Sequence, residues 1–475
     1  MKSEDLYRAI GAADDALLER SERNKYRRKN HWWMGTVAAV LALVIVGGIF
    51  LHPGSSPMVT SAYAICEAVY PEMAPYPNEM SDDFEQQYED WRASVQAQHQ
   101  PEGYADGLEP FFAASIPQFL TGAEGENRAY SPLNVYLALG MLAELTDGNS
   151  RQQILDLLGV DSIEQLRTQA NAVWNGQYRN DGATTSILAS SLWLNEDITF
   201  VPETMQQLSD TYYASAFQGE MGSDGFNQAL QDWINAQTGG LLKEQMQDIT
   251  LDADTVLALA TTIYYQAKWD STFSEENTSP ETFHALSGDV TCDFLHGSSM
   301  GNYYWGDQFG AVSRRLENDG GTMWFLLPDE GVSVEELLQN PQTMDFLLSG
   351  EAWENSQYLT IHLALPKFDI SSQMELREGL QALGVTDVFD PNQSDFTPMT
   401  QDLSGIYVSQ AKHGVRVAVD EEGVTAAAYT VMATDGASAP PEEEIDFTLD
   451  RPFLFAITSD DGLPLFVGTV YQPVT

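Results

Sequence analysis

Trp32 to Leu51 is a run of twenty residues without a charge. A helix of that length, at ~1.5 Å rise per residue, matches the ~30 Å hydrocarbon layer of a bilayer. A cleaved leader peptide is the alternative, but 31 residues precede the run and its apolar stretch is longer than a leader carries. The expectation is one N-terminal transmembrane helix over 32–51. Its N-terminal flank holds Arg20, Arg23, Lys25, Arg27, Arg28 and Lys29 against Glu22 alone, and no Lys or Arg follows the run until Arg92. By the positive-inside rule, residues 1–31 form a cytoplasmic segment and the chain beyond the run is extracellular. This predicts a single-pass protein of the cell membrane. The first segment also has a weak helical stripe, Leu6, Ile10, Ala13 and Leu17, read as an amphipathic lead-in.

Charge excludes several functions. The chain has 22 Lys plus Arg against 70 Asp plus Glu, a net −48 that repels phosphate backbones, so no nucleic-acid partner is expected. Residues 1–31 hold 8 basic and 6 acidic residues, so the anionic excess belongs to the part expected outside. Cys66 and Cys292 lack any Cys-x-x-Cys spacing, and their pairing is left open. The seven histidines, His31, His52, His99, His284, His296, His362 and His413, show no metal-ligand spacing. No metal and no cofactor are expected.

Residues 52–106 contain Pro53, Pro57, Pro71, Pro75 and Pro77, and 67–109 hold eleven acidic residues with one Arg. They read as an extended, self-repelling stalk. Within it Phe84, Tyr88, Trp91 and Val95 share one helical face, predicting a short helix over about 82–98 with Asp82 and Glu85 as a capping pair. Residues 107–475 show no linker or repeat and read as one domain. There Pro132 opens a buried helical pattern, Val135, Leu139, Leu142 and Leu145, and another precedes Gly159. Ser186–Leu194, Val256–Tyr265, Thr322–Leu327, Tyr358–Leu365 and the alternating Val415, Val417 and Val419 read as strands. Helices first and strands later favour an α+β fold.

Gly297-Ser298-Ser299-Met300-Gly301 matches the Gly-x-Ser-x-Gly nucleophile elbow, which requires a following helix. Asn302–Gly310 is aromatic and Gly-rich instead, so this stretch reads as a loop, and a Ser299-dependent hydrolase is kept only as a remote alternative. The more informative stretch follows the valines: Asp420, Glu421, Glu422 and Gly423, then Val424 to Thr434 without a charge and mostly small. It reads either as local helix or continued strand, or as a conditional strand. In the latter, Val424, Ala426, Ala428 and Thr430 would line one face, and Thr425, Ala427, Tyr429 and Val431 the other. Asp435 to Glu444, with Pro440 and Pro441, then make an exposed loop open to proteolysis.

With these residues in hand, the chain from 107 to 475 resembles the serpins, a family of serine protease inhibitors. The resemblance rests on an ordered set: Asn127–Pro132, Thr261–Trp269, Phe325–Gly331, Leu365–Phe368, His413, Asp420–Ala428, Arg451-Pro452-Phe453 and Pro464–Gly468. It implies a multi-sheet α+β domain with a large central β-sheet, eight to nine helices and an exposed reactive-centre loop. The activity implied is that of a suicide substrate, not an enzyme: the target cleaves the loop, is held as an acyl-enzyme, and is dragged as the freed strand enters the central sheet. Glu421, Glu422, Gly423, Val424, Thr425, Ala426, Ala427 and Ala428 match the hinge. Trp269 matches the breach, and Ser131 and His413 the shutter, where Asn134 replaces a serine and Thr261 an asparagine. The family's spacing puts the reactive bond at Ala437-Ser438, with Thr434 and Met432 as alternatives. A small apolar residue there suits elastase-like or subtilisin-like proteases, and Glu442, Glu443, Glu444 and Asp446 favour cationic ones. The expectation is a monomeric, membrane-anchored bacterial member, with a non-inhibitory binding serpin as the alternative.

Overall fold

The β-rich stretches form two sheets, described in a computed structural model for residues 62–77, 81, 83–123, 125–239, 249–424 and 443–473. The expected membrane helix over 32–51, residues 1–31 and the loop residues Thr425, Ala426, Ala427, Ala428, Ala437 and Ser438 lie outside the described residues. Among the described residues no helix is long and apolar enough to cross a membrane.

The first sheet has eight strands. In spatial order they are Ala64–Cys66 (β1), Ala214–Gly219 (β5), Thr185–Asn195 (β4), Leu257–Lys268 (β6), Gly423–Val424 (β14), Lys412–Val419 (β13) and Phe368–Glu375 (β12), with Arg179–Asn180 (β3) beside β4. The second has nine: Glu444–Thr448 (β15), Ser356–Pro366 (β11), Gly288–Trp305 (β8), Phe309–Leu316 (β9), Gly321–Pro328 (β10), Phe453–Thr458 (β16), Pro464–Val470 (β17) and Arg128–Tyr130 (β2), with Ser279–Ala285 (β7) beside β8. β4 and β5 run parallel, as do β11 and β15; the other pairings are antiparallel. Ten α-helices accompany them among the described residues, one or two more than the resemblance implies. The helix Pro132–Leu145 touches both β6 and β17. Its sequence is apolar nearly all round, and all its residues but Ala138 are buried, as a helix enclosed between layers requires.

Two expectations are corrected. Gly297–Gly301 is not a loop but the middle of β8, in antiparallel register with Leu359–Leu363 of β11. Glycines and small residues masked the alternation there, while pairing on a neighbouring strand fixed it. The second concerns the stalk. Residues 62–77 lie against the domain, where β1 pairs with β5, whereas the expected short helix is present as Phe84–Gln98 and packs through the buried Trp91. The N-cap of that helix is Asp83, without a side-chain cap bond, and Asp82 lies outside the described residues. Cys66 is exposed and Cys292 buried, both as free thiols.

Candidate functional site

β6 and β13 stand on either side of β14, which is only two residues long. Gly423 faces Lys268 and Val424 faces Ala267 on one flank, and Val424 faces Val419 on the other. Beyond these residues, no pairing joins β6 to β13 among the described residues; Leu257–Gln266 pair with β4, and Lys412–Ala418 with β12. Burial follows the same division among the described residues. β4 is buried over nine consecutive residues, whereas Leu257, Leu259 and Ile263 of β6 are only half-buried.

The turn that delivers β14 into the slot is built by Asp420. Its Oδ1 accepts from the backbone N–H of Glu422 at 2.9 Å and of Gly423 at 3.1 Å, and its own N–H donates to the Gly423 carbonyl at 3.2 Å. Short acidic side chains favour this self-capped geometry. Trp269, 1% exposed, holds the turn from below. Its Nε1–H donates to the Asp420 carbonyl at 2.9 Å and its backbone N–H to that of Glu422 at 2.9 Å, while the Phe273 N–H donates to the Glu421 carbonyl at 2.9 Å. The Glu421 carboxylate turns to Lys367, whose Nζ donates at 2.8 and 3.0 Å, and to Thr278 Oγ1 at 2.9 Å. Partial burial pushes this carboxyl up, but the hydrogen bonds from Lys367, the backbone and Thr278, with the lysine's charge, outweigh it and hold it below the usual range. Gly423 serves by proximity: a Cβ there would lie 2.3 Å from the Ala267 carbonyl oxygen and 2.7 Å from the Lys268 Cα.

A second cluster sits farther along β13. Ser131 caps the helix Pro132–Leu145, its Oγ accepting from the Asn134 N–H at 3.3 Å, while its own N–H donates to His413 Nε2 at 3.0 Å. Serine before Pro at the first helical position is a strong cap signal. His413 is 6% exposed and packs edge-on against Tyr130 at 5.4 Å. Burial brings its pKa down to about 4, so the ring is neutral and accepts at Nε2. Asn134 belongs to this cluster through its backbone, and its buried Oδ1 has no partner among the described residues. Thr261 lies on β6 opposite Ser190, and no hydrogen bond joins it to Ser131 or His413 among the described residues. Lys367, Thr278, Phe273 and Tyr130 are the contributors that sequence reasoning passed over. Lys367 was visible in the Leu365–Phe368 motif, as a rare cation among many acids.

The elbow motif fails on geometry as well as on its missing helix. Ser299 sits in a straight strand with Oγ 3.5 Å from the Arg314 guanidinium, and His296 is paired instead with Glu281 at 2.7 Å. Among the described residues no group of three or more His, Cys, Asp or Glu side chains is placed to hold a metal.

The family model for serpins (serine protease inhibitors) matches residues 110–473. The chain belongs to the serpin family. Plasminogen activator inhibitor 1 of Bos taurus is 27% identical over 395 residues, covering 79% of this serpin and 94% of the relative. The native state of tengpin, a thermophilic serpin, superposes with a TM-score of 0.70 at 24% identity, covering 79% of this chain and 95% of that one. Thyroxine-binding globulin in complex with thyroxine superposes with a TM-score of 0.66 at 19% identity over 79% of this serpin and all of that chain, 100%. These two likenesses concern fold alone, and the second joins the same fold to the binding of a small molecule.

Proposed function

We propose that this serpin inhibits extracellular serine proteases as a suicide substrate, with elastase-like or subtilisin-like enzymes as its targets. The observation that carries the reading is the slot between β6 and β13, bridged at one end by the two residues from which the loop departs. In the proposed reaction the protease serine oxygen attacks the Ala437 carbonyl. The bond to Ser438 breaks, Ser438 leaves as a new amine, and an ester joins Ala437 to the enzyme. The freed strand then continues β14 into the slot. Strand addition to a sheet is a known recognition mode, with serpin loop insertion among its examples. About 10 new backbone hydrogen bonds at ~1 kcal/mol net each supply on the order of 10 kcal/mol, enough to distort the trapped enzyme. The uncharged segment Val424–Thr434 presents nothing that opposes burial. The run 32–51, with its basic flank, supports a membrane anchor that holds the inhibitor outside the cell.

A non-inhibitory binding role is the second reading, favoured by the likeness to thyroxine-binding globulin. Incubation with an elastase-like protease separates the two. A complex that survives boiling in SDS, with cleaved chain of raised melting temperature, is expected; nicking without complex or thermal gain would leave the binding role.

A further inference from the structure

Gly414 lies inside β13, where a glycine weakens a strand because it has more backbone freedom to lose and no side chain to pack. Nothing in the resting sheet asks for it. Its φ is not in the left-handed region, and a Cβ there would meet no atom of the described residues within 4 Å. Gly423, by contrast, is required by the nearby Ala267 carbonyl. The reason for Gly414 therefore belongs to another state of the sheet.

The register of β14 says which loop residue would come beside it. Val424 faces Ala267 on β6 and Val419 on β13, and both pairings are antiparallel. Continued in the same register, an entering strand brings Ala427 between Tyr264 and Arg416, and Tyr429 between Thr262 and Gly414. Tyr429, which lies outside the described residues, is the one aromatic residue of Val424–Thr434. The small residue thus meets two large neighbours, and the large residue two small ones. Direction across the sheet is also defined. Val424 and Ala267 share the face that carries Tyr265, whose ring approaches Phe466 of β17 at 6.3 Å, so Thr262, Tyr264 and Gly414 belong to the opposite face. There the helix Asp224–Gln237 lies along β4 and β6, and Gly239, just beyond it, sits against the Tyr264 ring. Thr262 is 6% exposed, so its flank is closed, whereas Gly414 is half-buried. An entering Tyr429 ring has its room on the Gly414 side.

We propose that Gly414 is a receptacle for the Tyr429 ring, a contact formed only once the cleaved loop has entered the sheet, and that the pair holds the inserted strand in place. An aromatic ring laid across a glycine of the neighbouring strand supplies the packing that the glycine lacks. Tyr429 is a positioning residue, remote from the bond that is cut. The receptacle rests on the inhibitory reading, since it needs a loop that enters.

The test compares the intact full chain with the chain cut in its loop by an elastase-like protease, each unfolded in guanidinium. The variants are Tyr429→Ala, Tyr429→Phe, Gly414→Val and the double variant carrying both Tyr429→Ala and Gly414→Val. In the intact chain Gly414→Val is expected to raise the midpoint, because valine favours a strand and the site is open, while Tyr429→Ala leaves it unchanged. In the cut chain the sign reverses. Gly414→Val displaces the ring and Tyr429→Ala removes it, each losing about tenfold in the folding equilibrium constant, while Tyr429→Phe keeps the wild-type value. In the cut double variant, with no ring to displace, Gly414→Val raises the midpoint again relative to Tyr429→Ala alone. The receptacle is overturned if Gly414→Val raises the midpoint of the cut chain that retains Tyr429, or if the two substitutions simply add there. A wild type that neither traps the protease nor gains stability on cutting strikes the inhibitory reading and the receptacle with it; a wild type that does both while the substitutions add strikes the receptacle alone.

Discussion

At the scale of single residues, His413 gives the most direct handle on the resting state. Its Nε2 accepts the Ser131 N–H, so a proton there abolishes the bond and places a charge in the core. The folded pKa is about 4 against the ordinary value of 6.5, so between those values the unfolded chain binds the additional proton. Stability is therefore complete above pH ~6.5 and is lost as pH falls toward ~4, by roughly 3 kcal/mol in all. The expected outcome is a fall in urea midpoint over that window that the His413→Asn variant, lacking the titration, does not share; parallel curves would refute it. Ser131 and His413 were legible in the sequence because they sit in short ordered motifs. The Lys367–Glu421 pair was not, since its partners are 54 positions apart and only the fold brings them to 2.8 Å. Nor was the reason for Gly423, whose lack of a side chain answers to the Ala267 carbonyl and not to its own backbone angles.

At the scale of elements, β14 changes where insertion should be tested. Val424 is already in the resting sheet and 2% exposed, so Val424→Arg would bury an unpaired charge before any protease arrives. A strand continuing from Val424 keeps Ala426 and Ala428 on the same face. Ala426→Arg is therefore the cleaner variant: it should leave the resting melting temperature unchanged while turning inhibitor into substrate, read as cleaved chain in place of SDS-stable complex. Undiminished complex formation would remove insertion from the mechanism. The strands themselves were legible where period-two patterns were strong. Ser186–Leu194 grew only to Thr185–Asn195, and Val415, Val417 and Val419 are buried as their alternation requires. The helix through Trp91 was legible from its aromatic face, but the lie of 62–77 against β5 was not, because prolines and acids are frequent there and its attachment depends on Tyr63 and Tyr70, whose partners are remote in sequence.

At the scale of the whole molecule, the surplus of 70 acidic over 22 basic residues would set how the proposed inhibitor meets a target. Most of these carboxylates contribute little individually to stability, since exposed ion pairs are worth under ~1 kcal/mol. Collectively they make a negative field, and Glu443, Glu444 and Asp446 lie where the loop rejoins β15 beside β11. Under the proposed function, a cationic protease would be drawn toward that end of the molecule and an acidic one repelled. Because the Debye length shortens from ~30 Å at 0.01 M salt to ~8 Å at 0.15 M, the association rate constant with a cationic elastase-like enzyme should fall about tenfold over that range. With an acidic protease of the same specificity, salt should leave the rate unchanged or raise it. Stopped-flow measurement against both enzymes distinguishes steering from a merely solvated surface, for which the two salt profiles would be flat and alike.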